Sequence, residues 1–357
     1  MLTETTDRTS PRSAVAPADS WSLAAFILLG LRFAQGFIYW GGGSRRFIYA
    51  PAKLDPHAAN WMANKFQGAM PGAILGTGYI VDFLLRHFTL LYISIIVFSL
   101  IELVAGVFLM FGFFTRLAAL GTLGLSAVLM MLYGWQGATC IDEWTMAACN
   151  FAMGTALLLG GSSAFSLDAR WMRRNPAITH KPWFRWLASG PFPEAAFRKF
   201  SLCLAAVTVV FIVATYNYYR GSVLTPYHAG PTSPSIHHLS ISDAGIGDNG
   251  NLSFTVYLDG GTPDVPAHIV RIRLLGANGS VLETWSAADL AKLPASAIVN
   301  DYAYNKFKPA LLSLAAGMGA RAHITLPPTA GATVRPPSGA VIELQTIDNR
   351  IFTAPLG

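Results

Sequence analysis

Charged side chains are scarce in the apolar stretches of this 357-residue chain, and an ionisable group inside a membrane-length segment is a functional candidate by default. Arg32 is one such group, about 12 Å from the outer end of the first apolar run at 1.5 Å per residue. It shares a helical face with Gln35, Gly36 and Tyr39. Glu102 lies in the second run, and the two charges are expected to pair across the helices, either for function or only to fix packing. A second cluster is Cys140-Ile141-Asp142-Glu143-Trp144, with Cys149 and Asn150 a little further on. Asp142 and Glu143 suit a helix N-cap and first turn as well as they suit proton transfer. Cys140 is a redox candidate, being a thiol expected to be exposed beside a positive face. In one continuous helix Cys149 would stand about 13 Å along the axis from it, beyond disulfide reach unless the loop folds back. Cys203 has no polar company and reads as an inert core thiol. A third group is the run of cations Arg45, Arg46, Lys53, Lys65 and Arg86. They are there either to bind an anion or because a long folded loop escapes the usual charge bias.

The elements that must position these groups are membrane helices. Hydrophobic residues make up 53% of the chain and charged ones 12%, about half the charged share of a soluble domain. Five segments reach the roughly 20 apolar residues a crossing needs: Trp21–Trp40, Phe88–Gly112, Leu117–Trp135, Trp144–Gly161 and Phe200–Tyr219. The polar first 20 residues read as disordered, leading into an uncleaved anchor. The dense Lys and Arg of the connection 170–199 make it cytoplasmic, which places the 41–87 loop and everything after Tyr219 outside. Within that loop, Asp55-Pro56 predicts a helix start running to about Met70, and Ile74–His87 a second amphipathic helix.

After a linker over 220–235 the pattern turns to alternating strands: Ile236–Ser242, Leu252–Asp259, His268–Leu275, Val281–Trp285, Arg321–Leu326, Val341–Thr346 and Ile351–Thr353. Asn278-Gly279 predicts a hairpin turn, and one or two short helices are expected between Ala287 and Ala316. The fold class expected is therefore an α-helical bundle of five transmembrane helices followed by an all-β immunoglobulin-like sandwich. A net charge of +6 without basic–aromatic interleaving gives no nucleic-acid signature. Three cysteines in no metal or haem spacing, and no nucleotide-binding glycine loop, leave no metal, haem or flavin motif.

The segment Trp40-Gly-Gly-Gly-Ser-Arg45-Arg46-Phe-Ile-Tyr49-Ala-Pro-Ala-Lys53-Leu-Asp55-Pro56-His57 is followed by Asn60-Trp61-Met-Ala-Asn-Lys65 and Ala69-Met70-Pro71-Gly72. Together they resemble the DoxD subunit of thiosulfate:quinone oxidoreductase. Glu102-Leu-Val-Ala-Gly106 and Gly112-Phe-Phe-Thr-Arg116 resemble the wider DoxX-like membrane family. The part after Tyr219 resembles DoxA. The resemblance covers roughly residues 20–350 and implies a fused enzyme of the bacterial inner membrane. Such an enzyme oxidises two thiosulfates to tetrathionate and passes two electrons to a membrane quinone, with the β domain periplasmic. Its candidate catalytic residues are Cys140, Cys149, Asp142 and Glu143. The candidate substrate-binding residues are Arg45, Arg46, Lys53, Arg32, His57 and Trp61, since cations suit a dianion and arginine offers paired donors to sulfonate oxygens. Gln35, Tyr39 and Glu102 are the candidates on the quinone side, and His57 is also a plausible proton relay. Two other functions fit the same residues: an anion transporter or channel, and a non-catalytic membrane subunit that docks a redox partner. A homo-oligomer is left open.

Overall fold

The computed structural model of the chain describes residues 17–137, 143–221, 223–226, 228, 232–329 and 338–357, the side chains of 17–20 excepted. The first crossing is broken. Helix α1 (Pro17–Ile27) gives way at Leu28 to α2 (Leu29–Ser44), with a 49° bend between them. The helix then loosens into a π-helical turn over Arg45–Tyr49, followed by a single 3-10 turn, Pro51–Lys53. The segment leading to the next long helix holds α3 (Met62–Ala69) and α4 (Thr77–Arg86). Next come α5 (Phe88–Phe111), α6 (Thr115–Tyr133) and α7 (Glu143–Gly160), then the short α8 (Leu167–Arg174) and α9 (Pro182–Leu187), and finally α10 (Glu194–Tyr219).

Three of the described helices, α5, α6 and α10, are long and apolar enough to cross a membrane, and the bent α1–α2 pair makes a fourth crossing if it counts as one. The remaining expected span forms as α7, which carries Glu143 and Asn150 and falls short of that apolar character. Helix α2 lies against α5 with backbone nearly touching backbone. A Cβ on Gly106 would fall 2.3 Å from the Trp40 nitrogen, and one on Gly43 would fall 2.6 Å from the Leu103 nitrogen. Small residues are what allow such an approach between membrane helices.

Asp55-Pro56 does not start a helix. The Asp55 carboxylate accepts from the His57 backbone N–H at 2.9 Å, an Asx turn that bends the chain where a helix cap was expected. Helix α3 begins only after Trp61 and closes on the turn Met70–Gly72.

The C-terminal third forms two antiparallel sheets. One has the order β1 (His238–Ile246), β2 (Leu252–Gly260), β8 (Arg321–Leu326), β5 (Ile298–Asn300). The other has the order β10 (Ile351–Pro355), β9 (Val341–Thr346), β3 (Ala267–Leu275), β7 (Ser313–Ala316), β6 (Phe307–Ala310), with β4 (Val281–Trp285) also paired to β3. Alternation along the strands buries Phe254, Val256 and Leu258 from the first sheet, and Ile269, Ile272 and Leu274 from the second, in one core. The β3–β4 turn is the expected Asn278-Gly279 hairpin, with Gly279 at φ +79°. The short helices expected between Ala287 and Ala316 are α11 (Ala287–Ala291) and a 3-10 turn, Ala295–Ala297, and they are followed by β5, β6 and β7, which were not expected. This is an all-β domain, and the ten strands among its described residues go beyond the seven of the immunoglobulin pattern.

Candidate functional site

The continuation of α2 past Trp40 carries Arg45 and Arg46 out to the end of the bundle that faces α3, α4 and the β domain. There Arg46 forms an ion pair with Glu102 of α5, both side chains largely buried (17% and 8% exposed), with the guanidinium 5.6 Å from the Phe98 ring centre. The glycine run gives the carboxylate its room: a Cβ on Gly42 would sit 3.2 Å from Glu102 Oε2. Lys53 stands in the same group. Burial first, and then the positive charges of Lys65, Arg46 and Arg45, hold its ammonium below the ordinary lysine range, with Glu102 a partial offset. Three other cations and one carboxylate thus act on Lys53 at this mouth.

Below them runs a buried polar strip. The Tyr39 hydroxyl donates to the Thr122 carbonyl at 2.9 Å or shares a proton with Ser126 Oγ at 2.7 Å, and it lies close enough to feel the charge of Glu102. Gln35 Nε2 donates to the Asn150 carbonyl at 2.8 Å, and Asn150 Nδ2 to the Met146 carbonyl at 2.9 Å. Gln35 Oε1 and Asn150 Oδ1 are buried and have no partner among the described residues. Trp61 is buried against Tyr304 and Phe88, and its indole N–H also lacks an acceptor there. Tyr133 lies within charge range of both Arg46 and Glu143.

Residues 27–192 match the family model described as TQO (thiosulfate:quinone oxidoreductase) small subunit DoxD, and residues 219–353 match the one described as TQO small subunit DoxA. The chain is a DoxD–DoxA fusion. No solved structure matches it. The cationic mouth and the polar strip both lie in the DoxD part.

The other end of the DoxD bundle is built differently. Arg116 is fully buried. It donates to the carbonyls of Leu158 (2.9 Å), Leu159 (3.1 Å), Gly190 (2.6 Å) and Arg185, and its guanidinium stacks 4.0 Å from the Phe192 ring centre. The Asp168 carboxylate accepts from Phe114 N, from Thr115 N and Oγ1, and from Ser189 Oγ, all within 3.1 Å. Burial pushes that carboxyl up, and the hydrogen bonds oppose the shift.

Arg32 belongs to this end, which corrects the expectation that it pairs with Glu102. Glu102 is paired with Arg46, and Arg32 donates to Ser162 Oγ and to the carbonyls of Ala164 (3.3 Å) and Phe165 (2.8 Å). Because α2 runs on to Ser44, Arg32 is about 18 Å from the end of its helix rather than 12 Å.

His57 is exposed on its turn, and Glu143 is half-buried at the start of α7. Cys140 and Asp142, and with them the Cys140–Cys149 geometry, lie outside the described residues. Cys149 is exposed on the face of α7 next to the inward-facing Asn150. Cys203 is exposed too, so it is a surface thiol of α10 and not a core one. Two members of the site carry a weaker signal in the sequence. Lys65 reads as a loop charge, although it closes the Asn60–Lys65 segment that carries the resemblance. Asn150 is a polar group in an apolar helix, a signal of the same kind that singled out Arg32 and Glu102.

Proposed function

We propose that this chain is a membrane thiosulfate:quinone oxidoreductase acting at the periplasmic side of a bacterial inner membrane. Two thiosulfates, one quinone and two protons give one tetrathionate and one quinol. The observation that carries this reading is the gathering of Arg45, Arg46 and Lys65 within charge range of Lys53, beside the Arg46–Glu102 ion pair. Two dianions brought to about 5 Å repel by on the order of 10 kcal/mol at an effective dielectric of about 20. One arginine cannot offset that, whereas several cations converging on one mouth can. Arg45 and Arg46 supply planar donors for sulfonate oxygens, and the buried, unpaired Trp61 N–H is one more donor for an anion.

A quinone is the lipophilic two-electron acceptor that the polar strip fits. The amide nitrogens of Gln35 and Asn150 are committed to backbone carbonyls, so what these side chains leave over are two buried acceptor oxygens. Buried acceptors without a donor are costly, and the two hydroxyls of a quinol meet that need. In this reading Tyr39, within charge range of Glu102, hands on a proton, and Asp142 and Glu143 are further proton donors. Cys140, at the approach to α7, is the sulfur carrier in this proposal. Its thiolate bonds to the sulfane sulfur of one thiosulfate to give a thiosulfonate, the two electrons released passing to the quinone, which takes up two protons as quinol; the second thiosulfate then attacks that sulfur, leaving as tetrathionate and restoring the thiolate.

The test is reduction of a soluble quinone analogue by the purified chain alone. The expected result is strict dependence on thiosulfate, with one tetrathionate formed per quinol. Quinone reduction that ignores thiosulfate, or none at all, would overturn the proposal.

A further inference from the structure

One buried side chain joins the two halves of the molecule. Gln67 of α3 has no exposed surface, and its amide is spent on the β domain. Nε2 donates to the carbonyls of Asn305 and Gly319, each at 2.9 Å, and Oε1 accepts from Asn305 N at 2.9 Å. Asn305 answers by donating from Nδ2 to the Asn64 carbonyl of α3 at 3.0 Å. Gly319, at φ +77°, lies so close that a Cβ there would fall 2.1 Å from the Gln67 carbonyl oxygen, so no other residue allows this contact. The Tyr304 ring meets Trp61 edge-on at 4.9 Å. A second cluster holds α4: Tyr302 donates to Asp82, Arg321 lies 3.7 Å from Asp82, and Arg86 lies 3.6 Å from Asp301.

Helix α3 is only eight residues long, too short to hold itself in place. It nonetheless carries Lys65 and is entered through Trp61. We propose that Gln67 is a positioning residue: by locking α3 to the β domain it holds Lys65 and Trp61 at the anion mouth. The β domain then has a defined task, to hold in place a site whose named cations all come from the DoxD part. This inference rests on the reading of the mouth as a thiosulfate site.

The test uses the full chain with Gln67→Leu, Asn305→Ala and the double variant. Thiosulfate affinity is measured by calorimetry, and the opening of α3 by hydrogen exchange. We expect Gln67→Leu to weaken thiosulfate about tenfold, the loss of a buried hydrogen-bonded group, to speed exchange over 62–69, and to leave binding of a quinone analogue unchanged. The double variant should bind no more weakly than the worse single one, since both break one clamp. Asn305→Ala carries the same expectations should Gln67→Leu not fold. Faster exchange with wild-type thiosulfate affinity would overturn the positioning role, and so would unchanged exchange. A wild-type chain that binds thiosulfate without oxidising it would refute the proposed reaction and leave the clamp to be decided by these affinities.

Discussion

The two ends of the DoxD bundle hold their charges in opposite ways. At the end built from α8 and α9, the inner one in the proposed orientation, Arg116 and Asp168 are surrounded by backbone carbonyls, amides and hydroxyls that take up most of their hydrogen-bonding capacity, and Arg32 spends its two terminal nitrogens there, its Nε alone lacking a partner among the described residues. At the opposite end, the outer one in that orientation, Arg45, Arg46 and Lys65 press on Lys53, and Glu102 pairs with Arg46. A buried charge whose donors are spent mostly on the protein is a structural fastening. Cations that press on one another leave attraction to spare for an anion from outside. Charge alone does not separate the two cases, because both ends are rich in arginine; what the protein does with each guanidinium does.

The comparison predicts its largest effect at the inner end. Arg116→Met leaves four carbonyls without this donor and Asp168 without one of its two neighbouring cations, so it should destabilise the fold by about 3–5 kcal/mol, read as a lowered midpoint of thermal aggregation in detergent. A variant as stable as the wild type would remove the distinction between the ends. At the outer end, Arg46→Gln should raise the thiosulfate KM about ten- to hundredfold, but it also strands Glu102. The double variant Arg46→Gln, Glu102→Gln should recover stability without recovering the KM. Recovery of both would make the pair a mere fastening.

Two pH effects are smaller. Lys53 is held below the ordinary lysine pKa of about 10.4, so its charge is lost earlier than usual as pH rises. The thiosulfate KM should climb on the alkaline side, and Lys53→Met should flatten that limb. For Asp82, burial alone would raise the carboxyl, but hydrogen bonds from Arg86 and Tyr302 and the charges of Arg86 and Arg321 hold it below its ordinary value. A depressed carboxylate stabilises the fold above its unfolded pKa of about 3.9 and loses that contribution as pH falls through the lower folded value. Protease cleavage within 41–87 should therefore quicken only below about pH 4, and Asp82→Asn should show the faster cleavage at neutral pH.

What the sequence disclosed and what it hid follow one physical line. Long apolar runs and strict alternation announced α5, α6, α10 and most of the strands, because burial acts on those patterns directly. The short strands β5, β6 and β7 hold only three or four residues each, too few to show a period. Asp55-Pro56 carries the same signal for a helix cap and for an Asx turn, and tertiary context chose the turn. The cations of the mouth were legible as a group, since they lie within about twenty residues of chain. Arg32 was legible as a functional candidate but misplaced, because its partners at Ser162–Phe165 are about 130 residues away and reveal nothing locally. Gln67 gave no signal at all, being an ordinary polar residue whose partners belong to the other domain.

The central claim is that the outer cations bind substrate and the inner ones do not. The most direct measurement is the thiosulfate KM of Arg45→Gln beside that of Arg170→Gln, an equally exposed arginine of α8 at the opposite end, with the quinone KM followed in both. The account predicts a rise of about tenfold or more for Arg45→Gln, a wild-type value for Arg170→Gln, and no change in the quinone KM of either. Equal thiosulfate KM values for the two variants would contradict it.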